Sequence, residues 1–115
     1  MTKVLDQRQI IPEELDAVIH ERTRLSIVSI LAARRKIDYL ELKQLLQLTD
    51  GNLAGHVRVL EQADYVRTEK AILGRKTRTT YRLTPKGRRA LQEHVDRLAA
   101  LLSMKERKSM GGDRG

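Results

Sequence analysis

Between Asp38 and Leu83 the hydrophobic period of this 115-residue chain changes once, from that of a helix to that of a strand. Asp38-Tyr39-Leu40-Glu41 has the form of a capping box, with Asp in place of the usual Ser or Thr. It opens a helix whose Leu42, Leu45 and Leu46 share a face. Leu48 follows, and Thr49-Asp50 provides a turn and the cap of a second helix running to Gln62. In that second helix Leu53, Val57 and Leu60 sit at i, i+4 and i+7, so one side belongs to a core. Past Gln62 the residues alternate. Tyr65–Ala71 and Thr77–Leu83 are β-branched or aromatic at enough positions to be strands. Leu73-Gly74-Arg75-Lys76 between them is a hairpin tip with a glycine available for positive φ.

Two short helices joined by a few residues, followed by a ribbon, have the geometry of a helix-turn-helix with a wing. The outward face of the second helix carries Gly51, Gly55 and Arg58, flanked by Asn52, Ala54 and Val59. That face is small, polar and basic, and suits a DNA major groove. Asn can bond adenine edges bidentately, and Arg can pair with guanine or a phosphate. The glycines either let backbone approach DNA closely or allow tight helix packing. Gly55 in mid-helix costs about 1 kcal/mol relative to alanine. His56 falls at the edge of this face and reads as a partly buried, hydrogen-bonded histidine. His20 and His94 stand alone, without metal-ligand spacing.

The hairpin gathers Lys70, Arg75, Lys76, Arg78 and Arg82 against a single acid, Glu69, with Thr77, Thr79 and Thr80 adding hydroxyls. Such a ribbon grips phosphates or enters a minor groove. Arg34, Arg35 and Lys36 form another basic cluster, or cap a helix C-terminus. Over the whole chain 23 Lys and Arg face 15 acids, a net charge of +8 that attracts polyanions. There is no Cys, which excludes disulfides and thiolate chemistry, and no Phe or Trp, so the core must be aliphatic. No nucleophile–base arrangement or phosphate-binding loop points to an enzyme, and no cofactor is implied. Leu25–Ala33 is too short to span a bilayer, and Met1–Pro12 lacks the apolar stretch of a signal peptide. A cytoplasmic location is expected.

The flanks complete the outline. Residues 1–11 read as a flexible arm. Pro12, Glu13 and Glu14 open a helix with Leu15, Val18 and Ile19 as its stripe. The next helix, from Thr23, carries Ile27, Ile30 and Leu31 with Leu25 and Val28 beside them, and is central. Thr84-Pro85 caps and starts a last helix ending near Met104, and 105–115 is a charged, disordered tail. Leu91, Val95, Leu98 and Leu102 make a narrow heptad-like seam, suited to a partner helix unless it packs on its own domain.

The runs Leu46–Leu53, His56–Glu61 and Gly74–Thr84 resemble small winged helix-turn-helix transcriptional regulators related to the MarR and ArsR families. The likeness spans about Leu15 to Leu98 and is strongest in Thr49-Asp50-Gly51-Asn52-Leu53 and in the wing. It implies a mainly α fold with a small β-hairpin and N- and C-terminal dimerisation helices. It also implies a homodimer on double-stranded DNA, with two recognition helices in successive major grooves. The implied DNA-contacting set is Thr49, Asn52, Ala54, Gly55, Arg58, Arg75, Lys76, Thr77 and Arg78. The implied dimer interface comprises Leu15, Ile19, Leu91, Val95, Leu98 and Leu102. The ArsR cysteine motif is missing, so metal sensing does not carry over. Any small-molecule effector would sit at the dimer interface. A nonspecific nucleoid-type or RNA-binding protein, and a protein-interaction module, are the rival expectations.

Overall fold

The computed structural model describes residues 16–113, with side chains through residue 104. The expected arm, the helix opening at Pro12 and the interface position Leu15 lie outside that range. The described elements are α1 (Ala17–His20), α2 (Arg22–Arg34), β1 (Lys36–Asp38), α3 (Tyr39–Leu46), α4 (Asp50–Gln62), β2 (Val66–Leu73), β3 (Lys76–Leu83) and α5 (Pro85–Asp113).

Local chemistry sets most of these boundaries. Asp16 caps α1, its Oδ1 accepting from the Val18 N–H at 2.9 Å. Asp38 Oδ1 accepts from the Glu41 N–H at 3.0 Å, the capping-box bond expected for α3. Thr49 Oγ1 accepts from the Asn52 N–H at 3.1 Å and starts α4. The helix-turn-helix turn relies on Gln47, a non-glycine residue held left-handed at φ 52°.

A three-stranded antiparallel sheet of order β1-β3-β2 extends the expected two-stranded hairpin. The extra strand, β1, was concealed by its length and its setting in a basic run. Arg35 at φ 67° ends α2, and Lys36 and Asp38 flank Ile37, which pairs with Tyr81 and is buried. At the hairpin tip Leu73 pairs with Lys76 around Gly74-Arg75. Gly74 has φ 65° and Arg75 does not have positive φ, the glycine-first form of a two-residue turn.

The core is aliphatic apart from Tyr81. Ile27, Val28 and Leu31 of α2 are fully buried and meet Leu42 of α3, Leu53, Val57 and Leu60 of α4, and Val66 and Leu83 of the sheet. α2 is therefore the central helix, as its broad apolar circumference predicts.

α5 docks through a small polar knot. Thr84 Oγ1 donates to the Asp64 carbonyl at 2.6 Å and accepts from the Gly87 N–H at 2.9 Å. The Thr84 N–H donates to the Tyr65 carbonyl at 3.0 Å. Gly87 is pressed against this strand entry, so a Cβ there would lie 2.3 Å from the Tyr65 oxygen. The 29-residue helix continues to Asp113 rather than stopping near Met104. The charge of Lys105-Glu106-Arg107-Lys108 suggests a tail, yet Lys, Glu and Arg are strong helix formers.

The two histidines that stand apart in sequence meet at the α1–α5 junction. Their rings lie edge to face with centroids 5.5 Å apart, and His94 is fully buried with neither ring nitrogen hydrogen-bonded to a described residue. Burial, then the neighbouring His20, and also Arg97, hold the His94 pKa below its ordinary 6.5, while Asp16 opposes them. The unfolded chain therefore takes up this proton first as pH falls. Stability is full above about pH 6.5 and declines below it as the folded state resists protonation. Urea midpoints are expected to fall between about pH 7 and pH 5. His94→Leu should flatten that slope; an equally steep slope in the variant would assign it to other groups.

Candidate nucleic-acid interface

α4 presents the face expected from its sequence. Leu53, Val57 and Leu60 are buried beneath it, while Gly51, Asn52, Ala54, Gly55 and Arg58 are exposed. A Cβ placed at Gly51 or Gly55 would meet nothing within 4 Å. Neither glycine serves packing within the described chain, which removes that alternative and leaves an unobstructed strip of backbone. The start of α4 is anchored to α3. The Asp50 carboxylate takes an ion pair from Lys43 at 2.8 Å and a hydrogen bond from the Tyr39 hydroxyl. Exposed Thr49 is occupied as the cap, although an oxygen bonded to one N–H retains further bonding capacity.

His56 stands at the edge of the face and turns inward, as expected. Its Nδ1 lies 3.2 Å from Arg24 Nη1 and 3.5 Å from the Glu21 carboxylate, both at the start of α2. Burial alone would raise the Glu21 pKa. The N–H groups of Arg24 and Thr23 and the charges of His56 and Arg24 outweigh it and bring the carboxyl below its usual range.

The ribbon sorts its basic residues by parity, because alternate residues of a strand share a face. Lys70 pairs with Thr79, and Ile72 with Thr77, on the same side as Tyr81 and α4. Ala54, Arg58, Lys70, Thr79 and Tyr81 line one groove between the recognition-type helix and the wing. Lys76 and Arg78 alternate to the other face, where Arg78 lies 3.7 Å from the Asp38 carboxylate. Arg82 is paired with Glu69 at 3.1 Å. Arg75 occupies the tip. The expected contact set is thus split: Ala54 and Arg58 line the groove, and strand parity places Thr77 on its side of the ribbon. Asn52 and Gly55 lie on the exposed face of α4 outside it, and Arg78 is on the opposite face of the ribbon. Lys70 and Thr79, named with the basic ribbon but absent from the implied contact set, join the groove. Counting in twos back from Tyr81 finds Thr79, and the hairpin register then pairs it with Lys70.

The expected interface residues also separate. Ile19 is fully buried and Leu91 packs against the core. Leu98 is half-buried, while Val95 is 48 % and Leu102 62 % exposed. Among the described residues no three His, Cys, Asp or Glu side chains gather as a metal site, and no helix is long and apolar enough to cross a membrane.

Comparison with known proteins gives the same architecture. A family model described as a winged helix DNA-binding domain matches residues 23–102. An uncharacterized protein of Methanocaldococcus jannaschii is 31 % identical over 78 residues, covering 68 % of this chain and 85 % of that protein. The solved structure of a transcriptional regulator homologue from Pyrococcus horikoshii OT3 has a TM-score of 0.73 and 31 % identity, covering 84 % of this chain and 93 % of that one. A MarR-family regulator structure from Enterococcus faecalis V583 shares the fold at a TM-score of 0.64 and 23 % identity, covering 99 % and 98 % of the two chains. With the inner face of α4 buried, its outer face bare and a three-stranded wing beside it, the chain belongs to the winged helix DNA-binding domain family.

Proposed function

We propose that the chain is a sequence-specific regulator of transcription that binds double-stranded DNA as a homodimer and represses by occluding its site. The outward face of α4 carries this reading. It exposes an amide, a guanidinium and two glycines where a side chain would meet nothing among the described residues. Asn52 and Arg58 read base edges, and Gly51, Ala54 and Gly55 allow the backbone close to the groove wall. Thr49, Lys70, Arg75, Lys76, Thr77 and Thr79 hold phosphates around it. Val95, Leu98 and Leu102 of α5 face the same seam of a second copy. Any effector would enter between those helices. With about six to eight phosphates neutralised per dimer, log K should fall with log[salt] at a slope near −5 to −7.

The test is selection of bound duplexes from a random pool at about 0.15 M salt, where nonspecific attraction is partly screened. An enriched inverted repeat with half-site centres about one helical turn apart is expected. A pool retained without enrichment would replace base reading by nonspecific binding.

Gly55→Ala separates close approach from mere tolerance of glycine. Its methyl meets nothing among the described residues, and the helix should gain roughly 1 kcal/mol. The urea midpoint is expected to rise while affinity for the selected duplex falls about tenfold. Higher stability with full affinity would remove Gly55 from the contact surface.

A further inference from the structure

The outer half of the wing combines two kinds of side chain that do not ordinarily share a solvated loop. Ile72 is 80 % exposed and Leu73 56 %, immediately before Gly74-Arg75. Lys70, Arg75, Lys76 and Arg78 surround them, all exposed. Ile72 buries almost nothing in its own chain, so its presence is not explained by the core. Parity places it on the α4 side of the ribbon, opposite Thr77 and one pair beyond Lys70–Thr79. Leu73 points to the other face, opposite Lys76. The two-residue turn keeps this end narrow, with no bulky loop to shield either side chain.

We infer that the wing tip is an apolar wedge for duplex DNA, in which Ile72 enters the minor groove and partly unstacks a base step. The inference rests on the DNA-binding reading above and adds deformation of the duplex to it. Charge selects the occupant. An apolar tip ringed by cations matches a groove with phosphate walls and an apolar stack of bases behind the edges. A second copy of this chain is disfavoured at that tip, because it brings the same cations. Side chains such as Ile and Leu are the kind that wedge between base steps, and the bend they produce brings more protein surface onto the duplex. Arg75 beside the wedge would anchor the flanking phosphate. Flexible pyrimidine–purine steps would open most easily, so the wedge would add sequence preference at a position read by no hydrogen bond.

The experiment uses the full chain and a duplex recovered from the selection, with donor and acceptor dyes at its ends and 2-aminopurine in the flank beneath the wing. The wild-type chain is expected to shorten the end-to-end distance and brighten the 2-aminopurine. Ile72→Thr keeps β-branching at an exposed strand position, so the fold should be retained. It should bind about five- to tenfold more weakly, with the duplex straighter, the 2-aminopurine still quenched and the salt slope unchanged. Arg75→Gln should instead make the salt slope of the dimer shallower by about two, one for each protomer. A wild-type complex with straight, fully stacked DNA would overturn the wedge while leaving DNA binding in place. So would an Ile72→Thr complex as bent and bright as wild type. A wild-type chain that shifts no duplex would overturn the DNA-binding reading itself, and the wedge with it.

Discussion

Gly87→Ala is expected to destabilise the chain by about 3 kcal/mol or more, a large part of the roughly 5–15 kcal/mol that holds a domain of this size together. The new methyl would lie 2.3 Å from the Tyr65 carbonyl oxygen and 2.7 Å from Leu83 Cδ1. A leucine methyl can turn away. The carbonyl cannot, because it accepts the Thr84 N–H at 3.0 Å and follows Asp64, which is already held left-handed at φ 63°. Relief requires α5 to lift off the start of β2, which would break the three-way bonding of Thr84. The substitution at Gly55 is chemically identical and should move stability the other way, since there the methyl meets nothing among the described residues. Paired urea titrations of the two variants test the packing directly. Equal midpoints would mean that α5 is not seated on Tyr65 as described.

Leu102→Asp should have the largest effect on DNA affinity. The residue is 62 % exposed, so within a single chain the change should alter stability by no more than about 0.5 kcal/mol. In the proposed dimer it places a carboxylate in an apolar seam. Light scattering is expected to report a monomer. Affinity for the inverted repeat should fall by at least about 100-fold, because the second half-site no longer benefits from a tethered partner. The half-buried Leu98 is a poorer probe, since a carboxylate there would also disturb its own chain. A dimeric Leu102→Asp chain with full affinity would move the interface elsewhere.

The parts readable in the sequence are those decided within a few residues. Asp38, Thr49 and Thr84 announce their helices because a cap bond spans only three positions. Leu53, Val57 and Leu60 show the inner face of α4 because the helical period repeats within it. What escaped depends on distant neighbours. β1 exists only because β3 offers Ile37 a partner. Gly87 looks like an ordinary early-helix glycine until Tyr65 is placed against it. His20 and His94 meet only once α1 and α5 are packed together. The roles of Lys70 and Arg78 lie between these extremes. Their charges are evident in the sequence, but which one reaches the groove depends on strand parity relative to Tyr81.

β1 also governs how this protein would measure its target. Asp38 ends the strand that is bonded to β3 and, one residue on, caps the helix leading into the recognition turn. Reading head and wing are therefore joined through both the chain and the sheet, with no hinge between them. In the proposed complex such a unit works as a ruler with fixed graduations. A single base pair inserted between the major-groove half-site and its flanking wing contact should be as damaging as a wrong base, whereas adjustment between the two half-sites falls to α5 alone.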